Sequence, residues 1–195
     1  VSETAEAPRS FAEAAAQVYL QNDTEIKPLV RFILRSPWFI DPSHYYTRYA
    51  WPVEFVVRAI KEIGWVGYSI DNARAALANM GQTLYEPPDV AGWATGEAWF
   101  STGAMLARMN YAASLALNQK FSLGRDAREH GESPERLLEY FLDRLSPAEF
   151  EGEPFSELLD YLRAGESWSG SEAHMNVKAP GLARLIAGSA EYQLV

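Results

Sequence analysis

Apolar residues in this sequence recur every three or four positions, and no segment alternates apolar and polar residues for the length of a strand. The first pattern places apolar side chains along one face of a helix, whereas the second would place them on one face of a sheet. The clearest case is Pro52–Gly64, where valine and isoleucine share a face and glycine suits the helix end. We therefore predict an all-α fold, an irregular bundle of about seven to eight helices with long ordered aromatic loops.

The remaining helices follow from the same spacing and from residues that suit helix starts. Ser133-Pro134 is one such start, because serine caps a helix and proline fits its first turn. Segments 121–132 and 165–178 are rich in glycine and polar residues, and we predict loops there. The predicted helices cover residues 11–20, 25–35, 52–64, 72–80, 102–118, 134–145, 154–163 and 180–187.

The helix predicted over Thr102–Asn118 is the longest, and we expect it to lie at the centre of the bundle. Its several alanines would let neighbouring helices approach closely. The inward face is predicted to carry Met105, Leu106, Met109, Ala113 and Leu117.

Length and composition favour one core. The 195 residues are 48% hydrophobic and 22% charged, which suffices for one sizeable core. We predict a flexible leader over residues 1–10 and a single helical domain over 11–195. No stretch approaches the roughly 18 apolar residues of a membrane span, and we find no signal peptide in the chain. The absence of cysteine excludes disulfides and thiolate metal sites.

The net charge of −9 is concentrated in one segment. Residues 126–172 hold 13 acidic residues against four arginines, and we interpret them as an acidic surface segment. Nucleic-acid binding requires a basic stripe that displaces counterions from phosphates. We find no such stripe in the sequence, so we exclude nucleic acid as a partner.

The segment from Gly81 to Phe100 is too long and too aromatic for a plain linker. Pro87-Pro88 forces an extended backbone, while Trp93 and Trp99 supply large flat rings. One interpretation is a rigid aromatic platform on which a sugar ring or an apolar ligand stacks. The other is a structural plug, in which the tryptophans fill the gap between helices.

Polar residues of the same segment have a role in each of these two interpretations. Gln82, Asp89 and Glu97 would supply hydrogen bonds to a ligand, or the carboxylates would cap helix N-termini. A second aromatic segment, residues 38–51, suits carbohydrate or peptide binding, or an ordinary loop that covers the core.

Arg108 and Asn110 follow the aromatic loop on the central helix, and we include both in the candidate ligand site. A buried arginine requires a carboxylate partner. Arg108 would either hold an anionic ligand group or clamp the loop to the helix. The candidate partners are Glu54, Glu86, Asp89 and Glu97.

Catalytic patterns are weak. The histidines His44, His130 and His174 are far apart and form no metal-binding spacing. The serines at 167, 169 and 171 form no nucleophile elbow, and a triad with His174 has little support. No phosphate-binding glycine motif occurs. We therefore name no catalytic residue, cofactor or metal ligand.

Several motifs together resemble the bacterial domain-of-unknown-function family numbered 1800. The resemblance runs from about residue 25 to the end, with Ala190 where such proteins tend to have proline, and it is poor after Gly124. It implies the C-terminal portion of a larger exported protein, periplasmic or at the cell surface, with no assigned reaction. The motifs are Leu34-Arg35-Ser36-Pro37-Trp38-Phe39, Pro52-Val53-Glu54-Phe55-Val56, Gly81-Gln82, Pro87-Pro88-Asp89-Val90-Ala91-Gly92-Trp93, Trp99, Leu106-Ala107-Arg108-Met109-Asn110-Tyr111 and Leu185-Ile186-Ala187-Gly188-Ser189-Ala190-Glu191-Tyr192-Gln193.

These observations give two functional hypotheses. The first is a non-catalytic domain with an assembly or ligand-binding role, whose partner is carbohydrate or another exported protein. The second is part of a hydrolytic enzyme whose other active-site residues lie in an N-terminal region.

Overall fold

A computed structural model describes residues 7–64, 69–150, 152–165 and 167–195. Nine α-helices form within these ranges, and no strand does, which confirms the all-α prediction for them. None of the helices described has the length and apolar character needed to cross a bilayer. The helices are α1 (Arg9–Gln21), α2 (Ile26–Arg35), α3 (Pro52–Ile63), α4 (Ile70–Asn79), α5 (Thr102–Asn118), α6 (Lys120–Asp126), α7 (Pro134–Leu145), α8 (Glu153–Arg163) and α9 (Glu172–Gly188).

The chain divides into two compact units. The N-terminal unit contains residues 1–48 with Val195, and the C-terminal unit contains residues 49–194. The boundary at Arg48 lies inside the single domain predicted over 11–195. Most of the predicted leader, residues 1–6, lies outside the described residues, and α1 already begins at Arg9.

In the N-terminal unit, α1 and α2 pack against each other as a helical hairpin. The ring of Phe11 stacks on Phe32, with 5.5 Å between centroids, and lies 4.9 Å from the ring of Trp38. Neither helix has a fully buried residue. The hairpin is therefore held by a small aromatic cluster and leaves much of its apolar surface exposed.

The C-terminal unit is organised around α9, which packs against α5, α6, α7 and α8. We predicted a loop over 165–178 and a helix from Pro180, and this was wrong: α9 begins at Glu172 and contains Pro180. The Ser171 hydroxyl caps it by accepting a hydrogen bond from the His174 amide at 3.3 Å. Burial of Met175 and of the turns that follow offsets the hydrogen bond that proline cannot donate.

The loop predicted over 121–132 was also wrong, because this segment forms α6 and a 3₁₀ turn at Arg128–His130. Leu123 and Ala127 are fully buried there. Gly124 is a packing residue rather than a loop residue, since a Cβ atom at this position would lie 3.2 Å from the Cα atom of Asn176 in α9. The glycine therefore allows the two helices to approach closely.

The inward face predicted for α5 was wrong for most of its residues. Leu106, Met109 and Leu117 are exposed. Arg108 is the only charged residue of α5, so apolar and small residues occur all round the helix and periodicity does not select one face. The small side chains let α3, α4 and α9 pack against it. The buried residues of α5 are Ala104, Arg108, Tyr111, Ala112, Leu115 and Ala116.

We expect Gly181→Ala to destabilise the protein although alanine favours helices. A Cβ atom at Gly181 would overlap the Tyr161 side chain of α8, and overpacking of this kind costs about 1–3 kcal/mol. The matched control is Gly103→Ala in α5, where a Cβ atom meets nothing within 4 Å and stability should rise by up to about 1 kcal/mol. Urea denaturation of both variants measures this, and a stabilised Gly181→Ala protein would contradict the tight α8–α9 contact.

Candidate functional site

Arg108 lies in the core of the C-terminal unit and is 0% exposed. Its Nη1 donates a hydrogen bond to Oε1 of Gln193 at 3.0 Å, and its Nη2 donates to the carbonyl of Ala50 at 2.8 Å. The guanidinium carbon lies 5.0 Å from the centre of the Phe55 ring and 4.6 Å from that of Phe100. Arg108 thus joins α5 to the residues before α3 and to the C-terminal segment.

We predicted a carboxylate partner for Arg108, and this was wrong, because no carboxylate contacts its guanidinium group directly. Its hydrogen-bond acceptors are an amide and a backbone carbonyl, and its Nε atom has no acceptor among the described residues. Burial lowers the pKa of Arg108 to about 10, and the nearby charge of Glu54 opposes this shift. The residue is still charged at neutral pH, held by dipoles and ring faces.

The inner ends of the 81–100 segment are anchored in the same core. Gln82 is buried, and its Oε1 accepts a hydrogen bond from the Val53 amide at 2.9 Å, which ties the segment to the first turn of α3. Trp99 is buried in the 3₁₀ turn Gly96–Trp99, and its ring centroid lies 6.2 Å from that of Trp51. This end of the segment matches the structural interpretation.

The middle of the segment is exposed to solvent. Asp89 uses Oδ1 to accept a hydrogen bond from the Ala91 amide at 2.8 Å, so its carboxylate stabilises its own turn. Trp93 is half-buried, Glu97 is exposed, and Val90 is fully exposed. The predicted residues therefore do not converge on one cleft with Arg108, which is sealed in the core.

A pocket of about 630 Å³ lies between α4 and residues 82–86. Gln82 is the only predicted site residue that lines it. Its other polar lining includes Asp71, Arg74 and Glu86, and Tyr85 supplies an aromatic ring. The pocket is the candidate ligand site.

Several polar side chains of this pocket have no hydrogen-bond or ion-pair partner among the described residues. Arg74, Thr83 and Glu86 form no hydrogen bond or ion pair with any residue that the structure describes. Sequence reasoning missed Asp71 and Arg74, because a single acid and a single base on an amphipathic helix look like ordinary surface residues. Only the fold of the 82–86 segment places them at a pocket.

Asn110 lies in a different groove, of about 500 Å³, between α4 and α5. The groove has Ala75, Ala76 and Gly103 in its walls, and Asn72 is a second amide there. It shares α4 with the candidate site but none of its polar lining residues.

The family model for proteins of unknown function designated DUF1800 matches residues 1–194. The chain belongs to the DUF1800 family. The match extends the resemblance to residues before 25. No curated protein and no solved structure shows a significant match to this chain.

Motifs that carry the DUF1800 resemblance meet inside the C-terminal unit. Gln82 contacts Val53, and Arg108 contacts both Phe55 and Gln193. These residues come from motifs far apart in the sequence, yet they touch in the core. In this DUF1800 chain, the motif residues around Arg108 therefore form part of the architecture.

Ser169 and His174 come together in this DUF1800 chain, with 3.1 Å between Oγ and Nδ1. The Ser169 amide also donates to Nδ1 at 3.2 Å, and the Ser169 hydroxyl contacts that of Ser171 at 3.1 Å. This is a hydrogen-bonded cap at the start of α9. No group of three or more potential metal ligands occurs among the residues the structure describes.

We expect Arg108→Ala to destabilise the protein by roughly 3–5 kcal/mol, because it opens a cavity and leaves buried oxygens of Gln193 and Ala50 without donors. Chemical denaturation measures the loss. A loss below about 1 kcal/mol would show that the clamp contributes little to the fold.

We expect Trp99→Ala to cost about 3–5 kcal/mol, as truncation of a buried ring does, and Trp93→Ala about half as much, since Trp93 is half-buried. Trp99→Phe is the control. It keeps an aromatic ring and removes an indole N–H that has no described partner, so its cost should be clearly smaller. Equal losses for the alanine and phenylalanine variants would show that ring packing is not what Trp99 provides.

Proposed function

We propose that this chain is a non-catalytic ligand-binding domain, and that the pocket between α4 and residues 82–86 binds a polyhydroxylated ligand of the carbohydrate class. The observation that carries the proposal is Tyr85. Its side chain is 95% exposed at the pocket wall, on a backbone with φ of +67°.

The positive φ of Tyr85 costs conformational free energy in the unliganded protein. The Glu86 amide donates a hydrogen bond to the Thr83 carbonyl at 3.1 Å, which makes Tyr85 the third residue of a tight turn. Positive φ at that position normally requires glycine or asparagine, and a larger side chain there costs about 1–2 kcal/mol. No ring contact or hydrogen bond with a described residue offsets this cost. Backbone strain of this kind is concentrated at ligand sites.

The remaining pocket groups match the chemistry of a sugar. Hydroxyl groups of a sugar both donate and accept hydrogen bonds, and the pocket offers a guanidinium at Arg74, a carboxylate at Glu86 and a hydroxyl at Thr83. The Oε1 of Gln82 is used by the Val53 amide, whereas its Nε2 has no described acceptor. An exposed ring beside unpartnered polar groups is the arrangement that binds the apolar face and the hydroxyls of one sugar.

The hydrolytic alternative has less support. Arg108 is buried in the core and Asp89 holds its own turn, so neither contributes to an open cleft. Asp71 and Glu86 are the carboxylates of the candidate pocket. Product analysis of any glycan that binds would test this alternative, because hydrolysis would convert the proposal from binding to catalysis.

A periplasmic or cell-surface location accompanies the proposal and is supported by the resemblance to exported bacterial proteins. Fractionation of bacterial cells that express the natural protein would test it.

We expect Tyr85→Asn to weaken glycan binding by about tenfold or more through loss of ring stacking. The same change should leave the free energy of unfolding unchanged or raise it by up to about 1 kcal/mol, because asparagine tolerates positive φ. A glycan array followed by calorimetry with the 195-residue chain measures binding, and thermal denaturation measures stability.

The matched control is Tyr46→Asn, which replaces another tyrosine with positive φ outside the pocket. This variant should bind glycans as the parent chain does. Absence of any glycan ligand, or equal binding by the Tyr85→Asn variant, would refute the proposed function.

A further inference from the structure

The helix α2 carries a short basic stripe, which corrects the prediction that the chain has none. Lys27, Arg31 and Arg35 are spaced one turn apart, and Ile26–Arg35 contains no acidic residue. The acidic residues Asp23 and Glu25 precede the helix, at the end where the helix dipole favours negative charge. The stripe stands out in a chain whose net charge is −9.

An apolar stripe lies directly beside these charges. Ile26, Val30 and Leu34 are also one turn apart, and each precedes a basic residue by one position. Their exposed fractions are 67%, 44% and 52%. An exposed apolar stripe next to a basic one is the pattern of helices that lie in a membrane interface.

A second apolar surface borders the same arginines. A pocket of about 560 Å³ is lined by Phe11, Phe32 and Trp38, with Arg31 and Arg35 among its lining residues. A further depression, of about 540 Å³, is lined by Ile26, Val30 and Leu34 and includes the same two arginines. Arg31 and Arg35 therefore border two apolar surfaces.

Arg31 and Arg35 also lack a counter-ion among the residues that the structure describes. Neither forms an ion pair or hydrogen bond with any described residue. Two like charges one turn apart weaken a helix slightly. The apolar side chains beside them are exposed to water and so contribute no free energy of burial. A surface that offers both negative charge and apolar groups would reduce the repulsion between the arginines and bury the apolar side chains.

We propose that α2 binds the surface of a bilayer that contains anionic phospholipid. Lys27, Arg31 and Arg35 would lie at the headgroup phosphates, while Ile26, Val30 and Leu34 enter the boundary between headgroups and acyl chains. Nucleic acid would satisfy only the charges, because its phosphate backbone offers no surface for the apolar stripe. The net charge of −9 disfavours contact of the rest of the chain with an anionic bilayer.

The test is sedimentation of the 195-residue chain with vesicles of phosphatidylcholine alone, or of phosphatidylcholine and phosphatidylglycerol in equal amounts. The chain should sediment with the anionic vesicles only, and less so at high salt. Arg31→Gln with Arg35→Gln should weaken partitioning by roughly 30-fold, about fivefold for each charge lost. Ile26→Gln with Leu34→Gln should also weaken partitioning to the anionic vesicles, although this double variant keeps all three basic residues of α2.

The matched control is Lys120→Gln with Arg128→Gln, which removes two exposed charges from the C-terminal unit and should leave partitioning unchanged. The proposal is overturned by equal binding to neutral vesicles, by no vesicle binding, or by equal losses in the control. Tighter binding to duplex DNA than to anionic vesicles, measured by fluorescence anisotropy, would overturn it in favour of nucleic acid. Light scattering that shows a dimer broken by the α2 changes would assign the surface to a second copy instead.

Discussion

The Arg108 guanidinium is a positive charge with no exposed surface, and the C-terminal unit keeps it hydrogen-bonded without a directly contacting carboxylate. Gln193 accepts from Arg108 and donates through Nε2 to the carbonyls of Ala187 and Ser189, so one amide links α5 to the end of α9. Because a buried donor or acceptor without a partner is costly, these contacts stabilise one another. The position of the C-terminal segment follows from this requirement.

Arg58 supplies a second set of bonds to the same segment. Its Nη1 donates to the carbonyl of Leu194 at 2.9 Å, and its guanidinium carbon lies 4.1 Å from the centre of the Tyr192 ring. The Tyr192 hydroxyl donates to Oε2 of Glu62 at 2.6 Å, while burial raises the pKa of the Glu62 carboxyl. Two arginines thus fix the end of the chain, and the candidate pocket is built on elements that the core already holds.

The helices read correctly from sequence have local signals at their ends. The Ser133 hydroxyl caps α7 by accepting from the Arg136 amide at 3.3 Å, and Gly64 ends α3 with a φ of 137°. The sequence-based predictions were wrong where local residue preferences and tertiary packing favour different structures. Gly124 and Pro180 suggested loops, yet both lie in helices because neighbouring helices bury the segments around them. Both walls of the candidate pocket were predicted, as the helix over 72–80 and the aromatic segment, but of its lining residues only Gln82 was predicted as a site residue.

Sequence alone determined that this chain is helical, where most of its helices start, and that residues 81–100 are unusual, since caps, periodicity and proline act within a few positions. Tertiary structure decided which face of α5 is buried and which acceptors hold Arg108. It also decided that Tyr85 and Arg74 line one pocket while Asn110 lines another. Those outcomes depend on contacts between residues far apart in the chain, and no local pattern encodes which partner a side chain will meet.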